Sequence, residues 1–219
     1  MSNHHETLAQ LFLDGEEEKA FEYVETLLID HPQLYLFEDI LTPAMYYIGE
    51  LWEKNKITVA DEHLATGICD FIISKLDTNL SEGVNSSKKQ PKVMLFGVEE
   101  EQHYIGLKMA ANTFRAEGWK VRYLGPNLRL EHSLSQLHKF KPDVIGISAA
   151  LSYRLSTLKN IIHELAHLDW RPTLLIGGRM AKSYGLSDLE SNQVIVIRDL
   201  KHLEEWLQEG VESIYNETS

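Results

Sequence analysis

In the first third of the chain apolar residues return every three or four positions, the spacing of a helix with one buried face. The runs are Leu8, Leu11 and Phe12, then Phe21, Val24, Leu27 and Leu28, then Leu41, Met45, Ile48 and Trp52, then Leu64, Ile68, Phe71, Ile72 and Leu76. Asp14-Gly15, His31-Pro32 and Lys54-Asn55-Lys56 separate them, so the pattern predicts an N-terminal four-helix bundle over residues 1–80. Thr58 opens the last helix with Asp61 three residues on, a start resembling a capping box. Residues 81–91, SEGVNSSKKQP, combine Gly, Ser, Pro and charge without apolar periodicity and read as a surface linker.

Beyond the linker the period changes. KVMLFGV, KVRYLG, DVIGISA, TLLIGG and QVIVI are short apolar runs, each separated from the next by enough chain for a helix. This alternation predicts α/β architecture: five parallel strands over residues 92–219, doubly wound in the flavodoxin-like (Rossmann-like) manner. Ligands of such domains sit at the carboxyl ends of the strands, near the switch in strand order, so the chemistry is to be sought just after each strand.

Composition narrows the function classes. The chain has 219 residues, 43% hydrophobic and 25% charged, which excludes disorder and collagen. A net charge of −12 argues against a direct nucleic-acid binder, which needs an electropositive footprint. No 18-residue apolar run is present and the start, MSNHHETLAQ, is polar, so a cytoplasmic protein without a membrane anchor is expected. The single cysteine, Cys69, lies in an apolar helical run and reads as a buried, inert thiol.

After the first strand comes an acidic loop, Glu99-Glu100-Glu101-Gln102-His103-Tyr104-Ile105-Gly106. Three consecutive glutamates would repel a phosphate, whereas a histidine with a carboxylate two residues upstream suits a metal or a metal-centred cofactor. A lone histidine on a loop is also a common surface residue. The third strand ends in Ser148-Ala149-Ala150 and the fourth in Gly177-Gly178, both stripped of bulk where the backbone could line a slot. Ordinary turn chemistry explains a glycine pair equally well.

Together these elements resemble the cobalamin-binding domain of methionine synthase, the carbon-skeleton mutases and related corrinoid proteins, whose pattern runs Asp-x-His-x-x-Gly, Ser-x-Leu, Gly-Gly. Here Glu101-x-His103-x-x-Gly106 is followed after 41 residues by Ser148-Ala149-Ala150, and after a further 26 by Gly177-Gly178. The resemblance implies that His103 is the lower cobalt ligand, with Glu101, Gln102 and Ile105 about it. It also implies that the displaced nucleotide base enters a slot lined by Gly106, Ser148, Ala150, Gly177 and Gly178, where Ser148 bonds a base nitrogen. Glu101 stands in place of the family's Asp and Ala150 in place of its Leu.

The helical half extends the resemblance. Trp52, nine residues, then Glu62-His63 reproduces the Trp-x9-Glu-His motif of light-sensing regulators of the CarH type, which hold adenosylcobalamin between a helical bundle and the Rossmann-like domain. Trp52 also continues a core stripe, while Glu62, His63 and Thr66 are expected opposite the core stripe of their helix, where solvent is the default partner. The resemblance implies that Trp52 packs against the adenosyl group and that Glu62 and His63 line the upper face of the corrin. Two departures are expected to matter. Such regulators carry an N-terminal helix-turn-helix domain, but here the bundle starts within a few residues of Met1. The family's histidine directly after the tryptophan is Glu53, which leaves open whether His63 or His31 substitutes.

Function is therefore expected to be that of a cobalamin-binding sensor, an adenosylcobalamin-dependent photoreceptor that regulates transcription through a partner protein, with homo-oligomerisation possible and no catalysis of its own. Methylcobalamin and hydroxocobalamin are the other forms considered. The alternative is a corrinoid methyl-carrier protein of a methyltransferase system, whose Asp-x-His-Asp-Ile-Gly-Lys-Asn pattern is only partly met by His103-Tyr104-Ile105-Gly106-Leu107-Lys108. A mutase small subunit and a passive cobalamin store complete the alternatives. His4, His5, His132 and His138 are expected simply at the surface.

Overall fold

The computed structural model describes residues 3–78, 90–149, 155–183 and 186–216. The chain divides into two units, residues 1–81 and 82–219. Of the expected linker 81–91, all but Gln90 and Pro91 lie outside the described residues.

The first unit holds α1 (His4–Leu13), α2 (Glu17–Asp30), α3 (Gln33–Tyr35), a π-helical stretch (Leu36–Leu41), α4 (Thr42–Glu53) and α5 (Val59–Thr78). The helices stop where the sequence placed the breaks. Asn55 adopts a left-handed φ of 53° after α4. The Asn55 N–H then donates to the Trp52 carbonyl and the Lys56 N–H to that of Leu51, satisfying two carbonyls of the last turn. The α3–α4 stretch contains a proline, Pro43, which has no N–H to continue the α pattern. The turn before it widens, and the Thr42 N–H donates to the Phe37 carbonyl five residues back. At the start of α5 the Thr58 N–H and hydroxyl both donate to Asp61 Oδ2 at 2.7 Å, and the Asp61 N–H returns to Thr58 Oγ1 at 3.3 Å.

Leu8, Phe12, Val24, Phe37, Ile40, Ile48 and Ile72 are buried between these helices. The stripe on α5 differs from the expected one: Ala65, Ile68, Cys69, Ile72, Ile73 and Leu76 are buried, and Leu64 is 46% exposed. Small Ala65 and Cys69 admit close helix approach and so set the centre of the buried face one position on from Leu64, which falls at its edge beside the Gly15 turn. Glu62 and Thr66 thereby stand half-buried at the margin of the stripe rather than opposite it, and His63 alone of the three is exposed.

The second unit alternates β1 (Lys92–Val98), α6 (Ile105–Ala116), β2 (Lys120–Leu128), α7 (Leu130–Phe140), β3 (Val144–Ser148), α8 (Leu155–Ala166), β4 (Thr173–Gly177), α9 (Arg179–Ser183), β5 (Val194–Val196) and α10 (Leu200–Asn216). All pairings are parallel and the order is β2-β1-β3-β4-β5, the flavodoxin-like winding, with its switch between β1 and β3. Met94, Phe96, Ile145, Ile147, Leu174 and Ile176 form one face and pack with α7 and α8 through Leu137, Leu158 and Leu165. Alternation along the strands turns Val93, Leu95 and Gly97 the other way, to the face where α6 packs on β1 and β2 and against α10.

Candidate functional site

The loop after β1 is built around one carboxylate. Glu101 is fully buried, and its Oε1 accepts two bonds from His103: the backbone N–H at 2.8 Å and the ring Nδ1 at 2.6 Å. An ionised carboxylate only accepts, so Nδ1 carries the proton and the lone pair of the neutral ring stands on Nε2. Nε2 has no hydrogen-bond partner among the described residues, and the His103 side chain is 43% exposed. The ring is therefore oriented from behind and open in front, the arrangement that metal-ligating histidines share. A buried carboxylate is costly unless its lone pairs are used, so this loop geometry is also what makes burial of Glu101 tolerable.

The three glutamates have three fates. Glu99 pairs with Arg129 Nε at 2.6 Å, Glu100 takes a left-handed φ of 62° with its N–H on Asn127 Oδ1 at 2.8 Å, and Glu101 turns inward. Gln102 is exposed, Ile105 half-buried, and Gly106 exposed at the start of α6, with no atom within 4 Å of where a Cβ would stand.

Strand register brings the small residues together. Gly97 of β1 pairs with Ser148 of β3, and Ser148 with Gly177 of β4, so three adjacent strands end in a row of minimal side chains on the α6 face. Ser148 is buried, and no hydrogen bond engages its hydroxyl among the described residues. Gly178 answers to the chain itself. Its φ is +97°, and a Cβ there would lie 2.5 Å from the Ala149 carbonyl oxygen, because the β3 end passes directly over it. Ala150 lies outside the described residues. Gly97 was not singled out in the sequence, although a glycine within a strand run is a signal of close backbone approach: a Cβ there would sit 3.2 Å from Pro126 Cα.

In the helical unit Trp52 ends α4 and Glu62 and His63 open α5, so the short connection between these packed helices leaves all three at one end of the pair. Trp52 is 48% exposed and is not a core tryptophan. Thr66 donates its hydroxyl to Glu62 Oε1 at 2.9 Å, and His63 Nε2 stands 3.7 Å from Glu62 Oε2. Of the remaining histidines, His4 and His5 are half-buried, with His4 Nδ1 2.6 Å from the Tyr23 hydroxyl, while His132 and His138 are exposed.

A lone imidazole cannot cage an ion, and among the described residues no group of three or more His, Cys, Asp or Glu side chains gathers to do so. It does suit a metal already held in a macrocycle, and the row of small residues suits a flat group laid against the sheet. Family comparison agrees: one B12 binding domain model matches residues 91–198 and a second B12 binding domain model residues 5–76. The chain belongs to the B12-binding family. This cobalamin-binding protein is 25% identical over 170 residues to the HTH-type transcriptional repressor CarH of Myxococcus xanthus, covering 77% of this chain and 55% of that protein. It therefore spans little more than half the length of that relative. It is likewise 25% identical over 176 residues to dimethylamine corrinoid protein 3 of Methanosarcina acetivorans, covering 80% of this chain and 82% of that one. Its fold is similar to that of the monomethylamine corrinoid protein of Methanosarcina barkeri, with TM-score 0.73, 16% identity, and coverage of 93% and 97%. Among the described residues of the cobalamin-binding protein no helix is long and apolar enough to cross a membrane.

Proposed function

We propose that this protein is a cobalamin-dependent sensor that binds adenosylcobalamin, responds to light and passes the change to a regulatory partner protein in the cytoplasm, without catalysing a reaction of its own. The observation that supports it most is Trp52. A large aromatic ring left half exposed, at the same helix-pair end as Glu62 and His63, is a surface the bundle does not use for its own core. In this reading residues 1–80 read the upper ligand and residues 92–219 hold the corrin.

Bound adenosylcobalamin supplies a cobalt–carbon bond that visible light breaks. The chain's own residues do the rest. His103 would offer its Nε2 lone pair to the cobalt, with Glu101 holding the Nδ1 proton and stabilising positive charge on the ring. Gly106, Ser148, Ala150, Gly177 and Gly178 would line the slot for the cofactor's nucleotide base, with the Ser148 hydroxyl offered to one of its nitrogens. Trp52 would pack against the adenosyl group. Glu62, oriented by Thr66, would accept hydrogen bonds from its sugar or base, beside His63.

The test is the absorbance spectrum and oligomeric state of protein loaded with adenosylcobalamin, before and after green light. A spectral change accompanied by a change in association supports the sensor; no change in either refutes it. The second reading, a corrinoid methyl carrier, is supported by the similarity to dimethylamine corrinoid protein 3, which equals that to CarH in identity. Methyl transfer from methylcobalamin-loaded protein to a thiol acceptor, with a partner methyltransferase, would favour it.

A further inference from the structure

The loop that carries Glu101 and His103 is held from the side by β2. Pairing of β2 with β1 slips twice, between Leu95 and Phe96 and between Phe96 and Val98, so extra β2 residues bulge out beside the strand end. Within this bulge Gly125 and Asn127 take left-handed φ values of 83° and 56°. Absence of a side chain at Gly97 lets the bulge press in: a Cβ there would meet Pro126 Cα at 3.2 Å and Asn127 N at 3.6 Å. From that position Asn127 Oδ1 accepts the N–H of Glu100 at 2.8 Å, and two residues on Arg129 Nε reaches Glu99 Oε1 at 2.6 Å.

We infer that Asn127, backed by Arg129, is a positioning residue for cobalt ligation: it clamps the backbone immediately before Glu101 and so sets where His103 presents Nε2. This rests on the reading of His103 as lower ligand. Two features separate the clamp from ordinary loop packing. Glu100 sits in a left-handed conformation that a long side chain rarely adopts, opposite Asn127, a residue type that enters that region readily. The bond also closes on the residue directly preceding the buried carboxylate, so any slide of Glu100 moves Oε1 and with it both bonds to His103. The ion pair joins an exposed arginine to a half-buried glutamate and, screened by solvent, adds modestly to the clamp.

Asn127→Gly keeps the left-handed backbone and removes the acceptor, whereas Asn127→Asp retains an acceptor oxygen at the same place. Two measurements are made on each. In the cofactor-free protein, amide hydrogen exchange at Glu100 is expected to be about fivefold faster in Asn127→Gly, the loss of one ordinary hydrogen bond, and near wild type in Asn127→Asp. In protein with 15N-labelled histidine loaded with cob(II)alamin, a two-line nitrogen superhyperfine splitting of the cobalt resonance reports histidine coordination, whereas the cofactor's own base would give three lines. The two-line splitting is expected to weaken in Asn127→Gly while cobalamin stays bound, and to recover in Asn127→Asp. Wild-type splitting in Asn127→Gly, despite faster exchange at Glu100, would overturn the inference alone. Absence of the two-line splitting in the labelled wild-type protein, or three lines in its place, would overturn the reading of His103 along with it.

Discussion

Replacing Glu101 by Gln tests the chemistry of the ligand loop most directly, because it keeps the size and one acceptor oxygen for His103 while removing the charge. The carboxylate accepts two bonds in a fully buried place, at 2.6 Å from the ring and 2.8 Å from the backbone. Charge-assisted bonds contribute roughly 1.5–3 kcal/mol each and neutral ones about 1 kcal/mol, so the pair loses on the order of 1–4 kcal/mol when the charge goes. Part of that loss also falls on the cofactor-free protein, so only a share appears in binding. Removing a group that orients a ligating histidine typically weakens metal affinity about 10–100-fold, or about 1.4–2.8 kcal/mol, within the same span. Cobalamin affinity of Glu101→Gln is therefore expected to fall about 10–100-fold, measured by absorbance titration with hydroxocobalamin at fixed pH, with circular dichroism unchanged. An affinity within twofold of wild type, with the same histidine-bound spectrum, would refute the argument that this buried charge acts on the metal through His103.

Other expectations follow from the same geometry. His103→Ala should keep the fold, lose the histidine-bound spectrum and weaken cobalamin retention at least as much as Glu101→Gln; wild-type retention would discard the ligand assignment. Trp52→Ala should reduce affinity for adenosylcobalamin well beyond its effect on methylcobalamin, and an equal loss of both would return Trp52 to a purely structural role. Gly178→Ala forces a Cβ against the Ala149 carbonyl and should lower unfolding stability by about 1–3 kcal/mol even without cofactor. Gly106→Leu enters open space and should leave thermal unfolding of the cofactor-free protein nearly unchanged while obstructing cobalamin. Asp61 is held below its ordinary carboxylate value by the Thr58 hydroxyl and N–H bonds. Its contribution is thus present above the unfolded-state value and is lost as pH falls through the depressed one. Asp61→Asn should accordingly flatten the acid limb of the stability profile, read from urea midpoints across pH, and leave the neutral region with less change in slope.

Period and punctuation are local, and what depends on them was legible in the chain. Helix breaks at Gly15, Pro32 and Asn55 follow from the backbone preferences of those residues, and the Thr58–Asp61 start from a hydrogen bond three residues long. The apolar runs yielded the five strands and, through their alternation with helices, the doubly wound class. His103, Ser148 and Gly177 were joined into one motif by resemblance to the cobalamin-binding pattern, since each alone reads equally as surface or turn chemistry. What remained depends on which strand lies beside which. Gly97 joins Ser148 and Gly177 only through parallel register, and Asn127 meets Glu100 only because β2 bulges at that level. Leu64 and Trp52 looked like core positions because helical periodicity marks an apolar stripe without saying where the neighbouring helix stops covering it. Those outcomes are set by contacts between residues far apart in sequence, whose energies appear only once the chain has folded, and no window along the sequence contains both partners.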